Sequence, residues 1–285
     1  MSGKTISFLN FVGIFGKSFC RINSTCFGTI NSPNGIMNQE LKSKIDFTNL
    51  PRHIAVIMDG NGRWAKSQGK PRVFGHKNGV KAVRDTTEAA AELGIEFLTL
   101  YAFSTENWSR PKMEVNALMS LLVETLHNEI QTLHKNNIKL RTIGAIENMP
   151  EKTYKALLDG VESTSHNTGM TLTLALNYSS RWEITKALQT ISQKIQNGQL
   201  FPSDLSEELI SSTLETRDLP DPELLIRTSG EYRVSNFMLW QLAYTELYFS
   251  PVFWPDFGKT DLCNAIIDYQ KRERRFGKIS EQIPS

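Results

Sequence analysis

From residue 53 onward, short apolar runs alternate with longer stretches whose apolar residues recur every three or four positions. "HIAVIM" (53–58), "EFLTLYAF" (96–103), "IKLRTIG" (138–144), "MTLTLALNY" (170–178), "ELLIRT" (223–228) and "TELYFSPVF" (245–253) have strand length and composition. The first is continuously apolar, as befits an interior parallel strand. Between them the pattern predicts a helix from about Gly75 to Leu93, stopped by Gly94. Pro111 opens a longer helix in which Val115, Leu118, Leu122, Leu126, Ile130 and Leu133 share a face. Further helices are expected near 150–165, 181–197 and 204–215, with a charged helix running to Gly277 at the end. Repeated βα units predict a single α/β domain over 46–285: a mainly parallel central sheet covered by helices on both faces.

Ligands of such sheets bind beyond the carboxyl ends of the strands. The first predicted strand ends in "DGNGRW" (59–64), the second in "STENWSRP" (104–111), the fourth in "NYSSR" (177–181) and the fifth in "RTSGEYRVSN" (227–236). Acids, amides, hydroxyls, indoles and arginines therefore collect on one rim. Gly60 and Gly62 let backbone amides approach an anion closely, and Arg63, Arg72, Arg110, Arg227 and Arg233 are fork-shaped donors for phosphate oxygens. A carboxylate such as Asp59 does not bind phosphate, but it holds a Mg²⁺ that does. The composite predicts a pyrophosphate site with a metal. Taken singly, each member also has an ordinary reading: glycines as turn residues, Asp59 as a cap or an arginine's ion-pair partner, His76 as a cap, Trp64 and Trp108 as packing, arginines as solvated surface. "GNGRWA" also matches a loose dinucleotide fingerprint, the alternative of an oxidoreductase. The acid expected at the end of the second strand is missing there, and Asp59 would crowd a metal-free pyrophosphate.

Composition narrows the partners. A net charge of +2 over 285 residues gives no broad basic face for nucleic acid. Cys20, Cys26 and Cys263 form neither a metal spacing nor a disulfide framework, as expected of a reducing cytoplasm. No apolar stretch is long enough to span a bilayer. Residues 1–45 are rich in Ser, Asn, Gly and Phe and lack periodicity, which predicts a disordered extension, with Met37 an alternative start and residues 1–36 dispensable.

"HIAVIMDGNGRWA", Arg72 to His76, "LTLYAFSTENWSRP", "IRTSGEYRVSNFMLWQ" and "YTELYFSPVFWPDF" resemble the motifs of the cis-prenyltransferase family, in order, over about residues 50 to 278. The resemblance implies Mg²⁺-dependent, sequential cis condensation of isopentenyl diphosphate onto an allylic diphosphate, usually farnesyl diphosphate. The expected product is a long-chain polyprenyl diphosphate, undecaprenyl diphosphate for the cell-wall carrier lipid. It implies a catalytic, metal-binding Asp59, and a diphosphate cradle of Gly60, Asn61, Gly62, Arg63, Arg72 and His76 with Trp64 beside it. Ser104, Thr105 and Glu106 correspond to a substrate-contacting turn, and Asn107 to a residue serving proton removal by relay or by positioning. Trp108 and Arg110 position substrates; Arg227, Arg233, Val234 and Ser235 hold isopentenyl diphosphate; Glu246 is the second metal ligand. The family also implies a cytoplasmic homodimer, with peripheral membrane contact for product release as a further option. In such a dimer Arg275-Phe276-Gly277 reaches the partner's site. Some members are non-catalytic partner subunits, which lack the aspartate and several of the arginines kept here.

Two expectations follow for the interior. A growing prenyl chain needs an apolar tunnel, and Met170, Leu172, Leu174 and Leu176, on one strand face, either line it or form ordinary core. Ser179 and Ser180 stand where many members carry two glycines, so strain is expected if that turn needs positive φ. The chain has no Asp-Asp pair, which separates it from the helical trans-prenyltransferases.

Overall fold

The computed structural model describes residues 39–277 and 279. Most of the expected extension, including Met37, Cys20 and Cys26, lies outside them. The last residues before the expected boundary are described. The short helix α1 (Gln39–Lys42) packs on the C-terminal helix, and Ile45 is buried in the core.

Six parallel strands form one sheet: β1 (His53–Ile57), β2 (Phe97–Ser104), β3 (Lys139–Ile143), β4 (Thr171–Tyr178), β5 (Leu224–Arg227) and β6 (Glu246–Phe249), in the order β3-β4-β2-β1-β5-β6. Alternation along β1 serves two cores. Ile54 and Val56 enter a large cluster closed by α3 (Arg72–Leu93), α4 (Lys112–Lys135), α5 (Glu151–Ser163) and α8 (Lys259–Tyr269). Ala55 and Ile57 enter a smaller one on the opposite face, with Phe237 and Met238, below Trp182 of α6 (Ser180–Gln196). The seven-residue α7 (Glu207–Thr213) follows α6. All five β1 side chains are buried, as the apolar run required.

The order reverses at β1: the chain moves to β2 on one side and later returns to β5 on the other. Ile57 therefore lies beside Arg227 at the carboxyl edge, where open α/β sheets bind ligands.

One element is unanticipated, one expected boundary moves, and one conditional strain does not arise. Asn61–Ser67 is a helix, α2, packed on α3. Gly75 permits this, since a Cβ there would lie 1.9 Å from the Asn61 carbonyl oxygen. The last helix stops at Tyr269 instead of Gly277. Beyond it Arg272 pairs with Asp268 one turn back and with Glu246 of β6, and Arg274 pairs with Glu223, so the segment is held by carboxylates of other elements as well as its own helix. The Ser179–Ser180 turn is unstrained, with Ser179 extended at φ −154°. Positive φ falls instead on Asn177, and the Ser180 hydroxyl accepts the Leu239 amide at 2.9 Å.

Candidate active site

Asp59 leaves β1 through a backbone that Thr228 clamps, its hydroxyl accepting the Asp59 amide at 2.9 Å and donating to the Asp59 carbonyl at 2.6 Å. Gly60 then turns the chain at φ +104°. A Cβ at this position would lie 2.7 Å from the Phe253 ring and 2.9 Å from Ser229 Cβ. The turn aims the carboxylate across the strand ends. Its Oδ1 accepts the Gly60 amide at 2.7 Å, and its Oδ2 accepts Arg227 Nη2 at 2.9 Å with Arg63 Nη2 at 3.3 Å. Burial pushes the Asp59 carboxyl up, but the hydrogen bond and charge of Arg227, with Arg63 and the Gly60 amide, outweigh it and hold the pKa below its ordinary value.

Arg227 is 4% exposed at its side chain. Its Nη1 donates to the Arg233 carbonyl and to Ser235 Oγ (2.7 Å), while its buried Nε has no partner. Arg63 donates to Ser229 Oγ and Glu231 Oε1, both at 2.5 Å, and Glu231 also pairs with Arg233. Three guanidiniums thus face two carboxylates. Ser229, Ser235, Asn236 and Met238 all have positive φ, so this loop is held in a sparsely populated backbone by the contacts it makes. Val234 lies with the smaller core cluster.

A second group gathers around Glu114 of α4. Arg72 Nε lies 3.3 Å from it, Arg110 Nη1 3.1 Å and His76 Nε2 3.6 Å. Burial, helped by Arg110, lowers His76 to about 4 against the pull of Glu114, so the ring is neutral at pH 7. Here two guanidiniums face one carboxylate, again leaving net positive charge for an anion.

The turn after β2 ties these groups to the sheet. Asn107 Oδ1 accepts the Ser104 amide at 3.2 Å. Thr105 bonds to Glu106, and Glu106 accepts Asn236 Nδ2 at 2.9 Å, linking the turn to the loop after β5. Trp108 donates to Asn177 Oδ1 at 2.8 Å and meets Phe103 edge-on while its outer side stays exposed. Trp64 stacks on Phe74. Gly62 lies under Arg72, whose Cζ would be 2.9 Å from a Cβ there, and Asn61 Oδ1 is buried without a partner.

A cavity of about 450 Å³ opens among Asp59, Asn61, His76, Asn107, Arg110, Arg227, Arg233 and Ser235. The rest of its lining is largely apolar, including Val83, Leu100, Leu118, Leu122, Leu174 and Leu176. Met170, just before β4, and Leu172 within it are core residues and do not line it.

One expected residue stands apart. Glu246 opens β6, five residues of register behind Asp59, or about 16 Å along the strands. It pairs with Arg272 at 3.0 Å, so within one chain it does not join Asp59. Among the described residues no three His, Cys, Asp or Glu side chains cluster for a metal. The residues not singled out beforehand are Glu114, Thr228, Ser229, Glu231, Asn177 and Asn236. Glu114 was signalled by its position four residues after Arg110, the spacing of a helical ion pair.

Comparison with known proteins identifies the family. A family model described as putative undecaprenyl diphosphate synthase matches residues 57–277. A ditrans,polycis-undecaprenyl-diphosphate synthase, (2E,6E)-farnesyl-diphosphate specific, from Vibrio vulnificus is 53% identical, over 85% of this chain and 96% of that protein. The crystal structure of lavandulyl diphosphate synthase from Lavandula x intermedia, in complex with dimethylallyl diphosphate, aligns with TM-score 0.78 at 38% identity. That alignment covers 80% of this chain and 99% of the other. A probable undecaprenyl diphosphate synthase from Campylobacter jejuni aligns with TM-score 0.67 at 35% identity, over 81% and 100%. With Asp59, Arg227 and the apolar cavity behind them, these likenesses establish that the chain is a cis-prenyltransferase of the undecaprenyl diphosphate synthase family.

Proposed function

We propose that this enzyme adds isopentenyl diphosphate repeatedly, in cis, to farnesyl diphosphate, making undecaprenyl diphosphate for the carrier lipid of cell-wall polymers. The observation that carries the reading is one cavity lined in part by cations and otherwise largely by hydrocarbon. Two net-positive clusters suit two diphosphates, and the apolar lining suits a prenyl tail, each buried methylene stabilising it by roughly 0.8 kcal/mol. The relatives named above support the choice of substrates.

Asp59 fits Mg²⁺: it offers a hard, ionised oxygen, and Mg²⁺ sites commonly use one or two carboxylates completed by phosphates and water. Bound there, the ion would neutralise charge on the departing diphosphate. Arg63 stabilises the same charge as the allylic C–O bond breaks and its electron pair leaves with pyrophosphate. The terminal alkene of isopentenyl diphosphate attacks that carbon, and a proton is then lost. Neutral His76 can donate one N–H to phosphate. Asn107 is too weak a base to take the proton alone and positions or relays it, with the departing pyrophosphate supplying basicity. Arg227, Arg233 and Ser235 hold the isopentenyl diphosphate.

A homodimer is part of the proposal. Edge strand β6 and the exposed Tyr232, Tyr244, Leu247 and Phe276 offer an apolar face for a second copy. Such a partner would bring Arg275 and Gly277 to the isopentenyl diphosphate site. Among the described residues no helix is long and apolar enough to cross a membrane, and product release calls only for peripheral contact. The test is incorporation of radiolabelled isopentenyl diphosphate with and without Mg²⁺. Chromatography should show a metal-dependent, undecaprenyl-length product; no chain extension with either metal condition would refute the reading.

A further inference from the structure

Strands β2 and β4 run side by side to the carboxyl edge of the sheet, but they do not stay in step. Tyr101 lies opposite Ala175, Phe103 opposite Leu176 and Ser104 opposite Tyr178, so the pairing skips Ala102 on β2 and then Asn177 on β4. Each strand carries one extra residue, and the second bulge cancels the first. A bulge at a strand end re-aims a side chain, and Asn177 is the one re-aimed here. It is buried at φ +48°, a left-handed backbone that asparagine tolerates better than most side chains. Its surroundings are built round the bulge. Tyr101 donates its hydroxyl to the Tyr178 carbonyl at 3.1 Å, and Gly144 sits where a Cβ would lie 2.1 Å from the Leu176 carbonyl oxygen.

The two ends of the Asn177 amide have different partners. Nδ2 donates to the Ala145 carbonyl at 2.8 Å, and the Asn177 carbonyl accepts the Ala145 amide at 3.3 Å, which ties the end of β4 to the segment after β3. The oxygen is left facing the other way, and it accepts Trp108 Nε1 at 2.8 Å. An indole has a single N–H, and this one goes to Asn177. Trp108 lies in the tight turn Thr105–Ser109, none of whose residues is buried. Core burial therefore does little to fix that turn. Beyond its own strand, its side chains hydrogen-bond to Asn236 of the loop after β5, through Glu106, and to Asn177, through Trp108. Of these two anchors only Asn177 belongs to the sheet. Asn107 and Arg110, which flank Trp108 in the chain, line the active-site cavity; Asn177 does not.

We infer that Asn177 is a positioning residue of the condensation: the bulge at the end of β4 presents its amide oxygen to Trp108, and that bond holds Asn107 and Arg110 in place at the cavity. The inference rests on the functional reading above and deepens it by adding a residue that acts only through the indole.

The test is a double-mutant cycle on the full chain. Asn177→Gly keeps the left-handed backbone and removes both side-chain hydrogen bonds, Trp108→Phe removes the indole N–H, and the third variant carries both changes. Asn177→Asp is added because it keeps an oxygen for Trp108 while losing the donor to Ala145. Single-turnover condensation of farnesyl diphosphate with labelled isopentenyl diphosphate gives the rate, and thermal melting checks the fold. Asn177→Gly should slow the first condensation about tenfold, within the range that a slight misplacement of reacting groups produces. Trp108→Phe should slow it as well, and the double variant should be no slower than Trp108→Phe alone. The melting temperature should fall in both glycine variants, since the tie to Ala145 is lost whichever residue stands at 108. Asn177→Asp should recover most of the lost rate. Additive rate losses in the folded double variant overturn the inference, as does a wild-type rate from folded Asn177→Gly. So does a folded Asn177→Asp protein as slow as Asn177→Gly, because the tie to Ala145 would then be what matters. Trp108→Phe at wild-type rate overturns it too, whether or not the glycine variants fold. A wild type that forms no condensation product would instead refute the functional reading on which this one stands.

Discussion

Gly60 and Gly62 stand two residues apart in the same motif, yet the structure gives them different tasks, and alanine at each separates backbone from side-chain effects. At Gly60 alanine meets two costs. Its φ of +104° is a conformation that costs an L-residue about 1–2 kcal/mol. Its Cβ would also fall 2.7 Å from Phe253 Cδ1, 2.9 Å from Ser229 Cβ and 3.2 Å from Phe253 Cα, so both Phe253 and the Arg63-binding loop must shift. Overpacking of this kind costs about 1–3 kcal/mol, giving a total near 3 kcal/mol. For a domain of this size that lowers the melting temperature by roughly 6–12 °C. The displaced turn carries the Asp59 carboxylate with it, so kcat should fall at least tenfold. At Gly62, inside α2, the only close atoms belong to the flexible Arg72 guanidinium. Replacement of a helical glycine there recovers up to about 1 kcal/mol of helix propensity. Gly62→Ala should therefore melt at or slightly above wild type while raising KM for the allylic substrate through Arg72. Scanning calorimetry with steady-state kinetics reads both. A Gly60→Ala protein that melts and turns over like wild type would refute the strain argument.

Other outcomes follow from single contacts. His53 is fully buried between the Pro220 carbonyl and Thr99, and burial lowers its pKa from 6.5 to about 4. The unfolded chain then binds the extra proton, so stability is full above pH 6.5 and falls by about 3 kcal/mol as pH drops towards 4; denaturant midpoints against pH should lose this slope in a folded His53→Gln variant. Leu174→Trp and Leu176→Trp project into the active-site cavity and should shorten the product on a chromatogram; unchanged length in both would make them plain core. Arg275→Ala mixed with Asp59→Ala should recover activity in heterodimers, each chain supplying what the other lacks; demonstrated heterodimers without activity would refute completion of the site in trans.

The sheet was readable from the sequence because a strand buried on both faces needs an unbroken apolar run, and "HIAVIM" has one. The rim was readable because parallel strands bring their carboxyl ends together, so Asp59 and Arg227, far apart in sequence, meet at 2.9 Å. What stayed hidden depends on tertiary partners. Asn61–Ser67 is helical because Gly75 lets it dock on α3, and beyond Tyr269, where the last helix ends, Arg272 and Arg274 find carboxylates on other elements. Glu114 became part of the site only when folding set Arg72 and His76 beside it. Glu246 lies at the opposite strand end from Asp59, a separation that spacing along the chain cannot reveal.

The central claim is that the Asp59–Arg227 couple at the ends of β1 and β5 is where the chemistry occurs. Single-turnover condensation of farnesyl diphosphate with isopentenyl diphosphate, at saturating Mg²⁺, tests it most directly in wild type and Asp59→Ala. Removing the carboxylate deletes the proposed metal ligand and leaves the buried Arg227 guanidinium without its carboxylate partner. The protein should therefore still fold, at a lowered melting temperature, while the rate of bond formation falls by several powers of ten, the scale of lost essential charge stabilisation. A folded Asp59→Ala enzyme that forms the new carbon–carbon bond at near wild-type rate would contradict the account.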